Sequence, residues 1–118
     1  MIFLDTCVLI DYSKDKIILD LTQNYCISSI VKLEFKVGAL NQRELKKINR
    51  ILSQVKLLDT DQLILDLSDT LLDKYVLSHN MGIYDAIIAA TCLVYDLPLW
   101  TYNKKDFKFI DELELINE

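Results

Sequence analysis

Four acidic residues stand out by their places: Asp5 closes a short apolar run, Glu34 lies within a helical pattern, Asp85 opens another, and Asp106 follows shortly after the apolar pair Leu99-Trp100. Like charges repel, and burying several together is unfavourable unless a cation neutralises them. If the fold brings the four to one edge, they predict a metal. Donors that are all oxygen, in a chain whose single His (His79) and three Cys (Cys7, Cys26, Cys92) are far apart, suit a hard cation, Mg2+ or Mn2+, rather than zinc. Such ions serve phosphoryl chemistry: they polarise the phosphate, lower the pKa of a bound water and, in pairs, clamp the attacking and leaving oxygens. Phosphodiester hydrolysis fits this set, and a metal-activated water needs no His general base.

Each acid also has an ordinary explanation. Asp5 and Asp85 can cap helices, Glu34 can be a solvated helix residue beside Lys32 or Lys36, and Asp106 can be a loop acid. For the pattern to be accidental, all four must hold at once.

The elements that would carry these acids alternate in kind. Residues 2–4 read as a buried strand that stops at Asp5, and 6–12 follow with Val8, Leu9 and Tyr12 at helical spacing. Residues 17–21 with Thr22 predict a second short helix, and 25–27 a second strand. Ser28 and Ser29 offer an N-cap to a helix that carries Glu34, with Ile30, Leu33 and Val37 in phase, and runs toward Gly38. Residues 42–54 form a clearer helix, with Leu45, Ile48 and Leu52 on one face and Arg43, Lys46, Lys47 and Arg50 on a solvated one. After a strand at 55–58, Asp59 is placed to cap a long helix with Leu63, Leu67 and Leu71 in phase. Asp85 opens a helix whose stripe is Ile88, Ala89 and Cys92; Pro98 stops it, Leu99-Trp100 is a fourth strand, and 112–116 a last edge strand.

Strands alternating with helices predict a three-layer α/β/α fold around a central, mostly parallel sheet of four to five strands, in one domain over residues 1–118. Parallel sheets bind ligands at the carboxyl ends of their strands, and Asp5 stands at such an end. The net charge of −5 argues against a chain that coats nucleic acid non-specifically. A hydrophobic content of 52% with only two Gly and one Pro argues against disorder. No apolar stretch approaches the roughly 20 residues that span a bilayer, and the MIFL start lacks the basic flank of a secretory signal, so a cytoplasmic protein is expected. The three cysteines read as small buried apolar residues, His79 as a surface or capping residue, and Tyr84, Tyr95, Trp100, Phe107 and Phe109 as core-spaced aromatics. So apolar a chain of this size is expected to expose apolar side chains to partners, a second copy or a helix laid in a groove.

Three segments, FLDTCVLIDY around Asp5, SSIVKLEFKVGA around Glu34 and GIYDAIIAATCLVYDLPLWTYNKKDF around Asp85 and Asp106, together resemble the PIN-domain ribonucleases and, within them, the VapC-like toxins. The resemblance covers nearly the whole chain. It implies a Mg2+- or Mn2+-dependent endoribonuclease, the toxin of a pair whose cognate antitoxin blocks the site. By position it implies Asp5, Glu34, Asp85 and Asp106 as catalytic, metal-binding acids, Thr6 and Thr101 as supporting hydroxyls and Asn103 as a polar neighbour. Relatives place the last acid at either the Asn103 or the Asp106 position. Cys7 stands where many have Asn, and Tyr102 where Arg is common. Lys104, Lys105 and Lys108 lie beside these residues, placed to meet phosphates without reading sequence. A second reading is a catalytically weak PIN domain acting as a regulatory or protein-binding module. A haloacid-dehalogenase-like phosphatase is set aside, because it needs an acid two residues after Asp5, where Cys7 stands.

Overall fold

The computed structural model describes residues 1–116. Four parallel strands, β1 (Ile2–Leu4), β2 (Tyr25–Ser28), β3 (Lys56–Leu58) and β4 (Leu99–Trp100), lie in the order β3-β2-β1-β4. Five helices connect and cover them: α1 (Thr6–Ser13), α2 (Ser29–Val37), α3 (Gln42–Leu52), α4 (Gln62–His79) and α5 (Ile83–Tyr95). A single 3₁₀ turn follows β4 at Lys104–Asp106. Among the described residues no helix is long and apolar enough to cross a membrane.

The strand order decides where a ligand can sit. From β1 the chain moves through β2 to β3 on one side, then returns across the sheet to put β4 on the other flank of β1. The carboxyl ends of β1 and β4 therefore border the point where the winding reverses, the place where open parallel sheets form a crevice. Phe3 pairs with both Cys26 and Leu99, so β1 is covered on both edges and its Phe3 and Leu4 are fully buried. The expected edge strand at 112–116 reduces to one parallel bridge, Leu115 with Leu99, in which the Leu99 amide donates to the Glu114 carbonyl and the Ile116 amide to the Leu99 carbonyl, each at 2.9 Å.

Several local expectations are corrected. Residues 17–21 are not helical. Asp20 Oδ1 accepts both the amide (3.1 Å) and the hydroxyl (2.6 Å) of Thr22, and Asp15 and Asn24 take left-handed backbone conformations, so side-chain turns outcompete a helix too short to nucleate. The cap of α4 is Asp61, not Asp59: Asp61 Oδ1 accepts the Ile64 amide at 3.0 Å, while the Asp59 carbonyl accepts the Tyr95 hydroxyl at 3.1 Å. Its buried stripe is Ile64, Ser68, Leu71 and Tyr75, leaving Leu63 exposed and Leu67 half-buried. Ser68 is tolerated there because its hydroxyl donates to the Ile64 carbonyl at 2.8 Å. Likewise α2 buries Val31 and Phe35, and Leu33 and Val37 face outward. Ser28 occupies the cap position of α2 without a capping bond from its side chain.

Helix α3 is amphipathic with its expected basic face, Arg43, Lys46, Lys47 and Arg50, exposed, but the buried pair is Ile48 and Ile51, with the expected Leu45 and Leu52 half-buried beside it; Lys47 Nζ also bonds the Ser13 carbonyl at the end of α1. Helix α5 is buried along nearly its whole length through Ala86, Ile88, Ala89, Ala90, Thr91 and Cys92, the small residues permitting close approach of α4. Cys26 and Cys92 are buried as expected, but Cys7 is only half-buried.

Candidate active site

Asp5 is where local and global structure meet. The residue ends β1 and caps α1, so its backbone is extended (φ −75°, ψ 159°) and its carboxylate turns back over the first turn of the helix. It is 3% exposed, so its charge must be met by donors. Oδ1 accepts the Thr6 amide at 2.7 Å and the Tyr84 hydroxyl at 2.6 Å, and Oδ2 accepts the Thr101 hydroxyl at 2.7 Å. The donors come from α1, α5 and the segment following β4, three elements that converge only in the folded chain.

Thr6 acts on Asp5 through its backbone amide, whereas its hydroxyl lies 2.6 Å from that of Tyr84. Thr101 is itself fixed, its hydroxyl accepting the Asn103 amide at 3.0 Å. The Asn103 side chain is exposed. Tyr84 was absent from the acid-and-hydroxyl pattern and fell among the core-spaced aromatics. A phenol one residue before the acid that opens α5 is the only signal of it in the chain. Burial, then the adjacent Asp5 charge, push its ionisation far above the ordinary phenol range, so it stays a donor.

Asp85 lies in the first turn of α5, where the helix N-terminus favours a negative charge. Its carboxyl is nevertheless pushed up to about 6, first by burial and then by the charges of Asp106, Asp5 and Glu34. Glu34, exposed on α2, is raised as well, by desolvation and by Asp5. Asp106, exposed at the end of the 3₁₀ turn, joins the group through its effect on Asp85. The four carboxylates thus share one electrostatic neighbourhood at the carboxyl edge of the sheet. Among the described residues no three His, Cys, Asp or Glu side chains are close enough together to hold one ion as placed. The donor set still fits a hard cation. It is all oxygen, Asp106, Asp5 and Glu34 raise the affinity of Asp85 for a proton as Asp5 does that of Glu34, and the side chains of Glu34 and Asp106 are exposed to solvent.

The rim carries the two positions of mixed chemistry. Cys7 Sγ lies 3.9 Å from the Thr101 hydroxyl and accepts the Tyr102 amide at 3.5 Å; burial, with a smaller push from Asp5, raises its thiol. The Tyr102 phenol is pushed up to about 12 by desolvation and by its bond to the Asp11 carboxylate. Lys105 and Lys108 are exposed next to Asp106, and half-buried Lys104 already engages a neighbour. His79 is at the surface, stacked on Phe109 with ring centroids 4.1 Å apart.

The family model for the PIN domain matches residues 2–113. A protein called Ribonuclease VapC1 from Methanocaldococcus jannaschii is 32% identical, the match covering 97% of this chain and 84% of the relative. Ribonuclease VapC from Rickettsia bellii is 49% identical over 37 residues, a stretch covering 31% of this chain and 28% of the relative. Among solved structures, DNA-bound VapBC from Salmonella typhimurium superposes with a TM-score of 0.83 at 25% identity, covering 98% of each chain. The chain belongs to the PIN-domain family, among its VapC-like members.

Proposed function

We propose that this protein is a Mg2+- or Mn2+-dependent endoribonuclease that hydrolyses RNA phosphodiester bonds in the cytoplasm, and that it is the toxin of a toxin-antitoxin pair. The observation that carries the reading is Asp85: a carboxyl pushed up to about 6 by burial and three neighbouring carboxylates, beside an Asp5 held by three donors. Acids that share one electrostatic neighbourhood and disfavour ionisation of Asp85 are the arrangement a divalent cation relieves. Asp5, Glu34, Asp85 and Asp106 are the residues that would hold it. When bound, such an ion polarises the phosphate and makes water a competent nucleophile at neutral pH. The protein's own residues do the rest. Thr101, Tyr84 and the Thr6 amide keep Asp5 in one orientation, so no reorganisation is needed as the substrate arrives. Lys105 and Lys108 lie on the solvent side, where they meet the RNA backbone.

The names of the relatives support the same reading, Ribonuclease VapC1 for the activity and the VapBC assembly for the partner. Exposed Leu33, Val37 and Leu40, the outward stripe of α2 and the turn after it, favour apolar contact with an antitoxin or with a second copy. The direct test incubates the protein with single-stranded RNA in Mn2+, in Mg2+ and in chelator. Cleavage is expected with either ion and lost in EDTA; equal cleavage in EDTA rejects the metal-dependent mechanism. Replacing both Lys105 and Lys108 by Ala is expected to weaken RNA binding by a similar factor for all sequences and to lower the slope of log affinity against log salt by about 1.4. Salt titration of fluorescence-anisotropy binding reads that slope, and an unchanged slope removes both lysines from the interface.

A further inference from the structure

Tyr84 joins two parts of the chain 79 residues apart. Its hydroxyl donates to Asp5 Oδ1 at 2.6 Å and lies 2.6 Å from Thr6 Oγ1. A phenol has one proton; with that proton on the carboxylate, the Thr6 hydroxyl must donate in the second contact, and donation runs from Thr6 to Tyr84 to Asp5. A carboxylate offers about four lone-pair sites, two on each oxygen. Among the described residues Oδ1 takes two donors, the Thr6 amide and the Tyr84 hydroxyl, while Oδ2 takes one, the Thr101 hydroxyl. Oδ1 is thereby closed, and Oδ2 keeps a site.

We propose that Tyr84 is a positioning residue that closes Asp5 Oδ1, limits Asp5 to coordination through one oxygen and so sets which divalent cation the site prefers. The inference rests on the cation site proposed above. Coordination through a single carboxylate oxygen suits a small ion of strict octahedral geometry, such as Mg2+ and the similar Mn2+. Ca2+ takes more oxygens and commonly binds both oxygens of one carboxylate. A hydroxyl that occupies Oδ1 therefore acts against Ca2+ more than against Mn2+. It does so from α5, so the selectivity of Asp5 depends on how α5 docks against the end of β1.

Tyr84→Phe removes the hydroxyl and keeps the ring. Mn2+ and Ca2+ affinities of the metal-free full chain are measured by calorimetry for the parent, for Tyr84→Phe and for Thr101→Val. In Tyr84→Phe the ratio of the Ca2+ Kd to the Mn2+ Kd is expected to fall about tenfold, the scale of one hydrogen bond to a charged group. Thr101→Val opens a site on Oδ2 but leaves Oδ1 closed, and its ratio is expected to stay at the parent value. General loosening of the site would weaken both ions together and leave every ratio unchanged. An unchanged ratio in Tyr84→Phe, or an equal fall in both variants, overturns the role of Tyr84. A parent that binds neither ion overturns the cation site and this inference together, whereas a parent that binds Mn2+ keeps the two questions separate.

Discussion

Asp5→Asn is expected to lower RNA cleavage at least about a hundredfold, the scale on which removal of a single preorganised electrostatic group acts, while leaving the fold intact. Asparagine has the same shape and caps helices as well as aspartate. Its carbonyl can still accept the Thr6 amide and the Tyr84 hydroxyl, and its NH2 can donate to the Thr101 hydroxyl, which accepts by rotating. What is lost is the negative charge that a cation needs. The two roles of Asp5, cap and ligand, separate in a second variant. Asp5→Ala leaves the Thr6 amide and the Tyr84 and Thr101 hydroxyls without their acceptor, and should cost stability that Asp5→Asn does not, at about 1 to 3 kcal/mol for an orphaned buried group. Cleavage rates at saturating Mn2+ and thermal midpoints in chelator distinguish them. An Asp5→Asn protein that cleaves like the parent removes Asp5 from the chemistry.

Asp85→Asn should also be inactive, yet its effect on folding has the opposite sign from that of a typical buried substitution. The folded carboxyl titrates at about 6 against an ordinary value of 3.8, because burial and the charges of Asp106, Asp5 and Glu34 disfavour ionisation. Below pH 4 the group is protonated in both states and its favourable contribution is complete. Between about 4 and about 6 the unfolded chain ionises first, so that contribution is lost as pH rises through the folded value. Each unit corresponds to about 1.4 kcal/mol before solvent screening. Asp85 is only half-buried, and its place at the start of α5 returns part of the loss through the helix dipole, so a net gain of up to about 1 kcal/mol is expected on neutralising it. Metal-free Asp85→Asn should therefore melt a few degrees above the parent at pH 7, and the two curves should meet near pH 4. Added Mn2+ should raise the parent's midpoint above pH 6 and leave the variant's unchanged. A variant less stable than the parent at pH 7 would mean that the carboxylates do not oppose one another.

The chain's order of elements is written locally. An apolar run that stops at an acid, a capping Asn41 three residues before Glu44, and an Ala-rich helix closed by a left-handed Asp96 ahead of Pro98 each specify their element from within a few residues. Alternation of those elements was enough to anticipate a parallel sheet with Asp5 at a strand end. Periodicity, however, defines stripes without saying which one turns inward. On α2 and α4 two apolar stripes compete; Val31 with Phe35, and Ile64 with Leu71 and Tyr75, are the ones buried. The choice lies in the surface each helix meets, and Ser68 joins the buried stripe because its hydroxyl finds a carbonyl one turn back. Around residues 17–21, the Asp20 side chain and the left-handed backbones of Asp15 and Asn24 form turns that no hydrophobic pattern registers. The types of the four acids were legible because charge is a property of single residues. Their common neighbourhood, the strand order that sets β4 beside β1, and the hydroxyls of Tyr84 and Thr101 that grip Asp5 from 79 and 96 positions away were settled only by tertiary packing, since a hydrogen bond across that separation leaves no trace in local propensity.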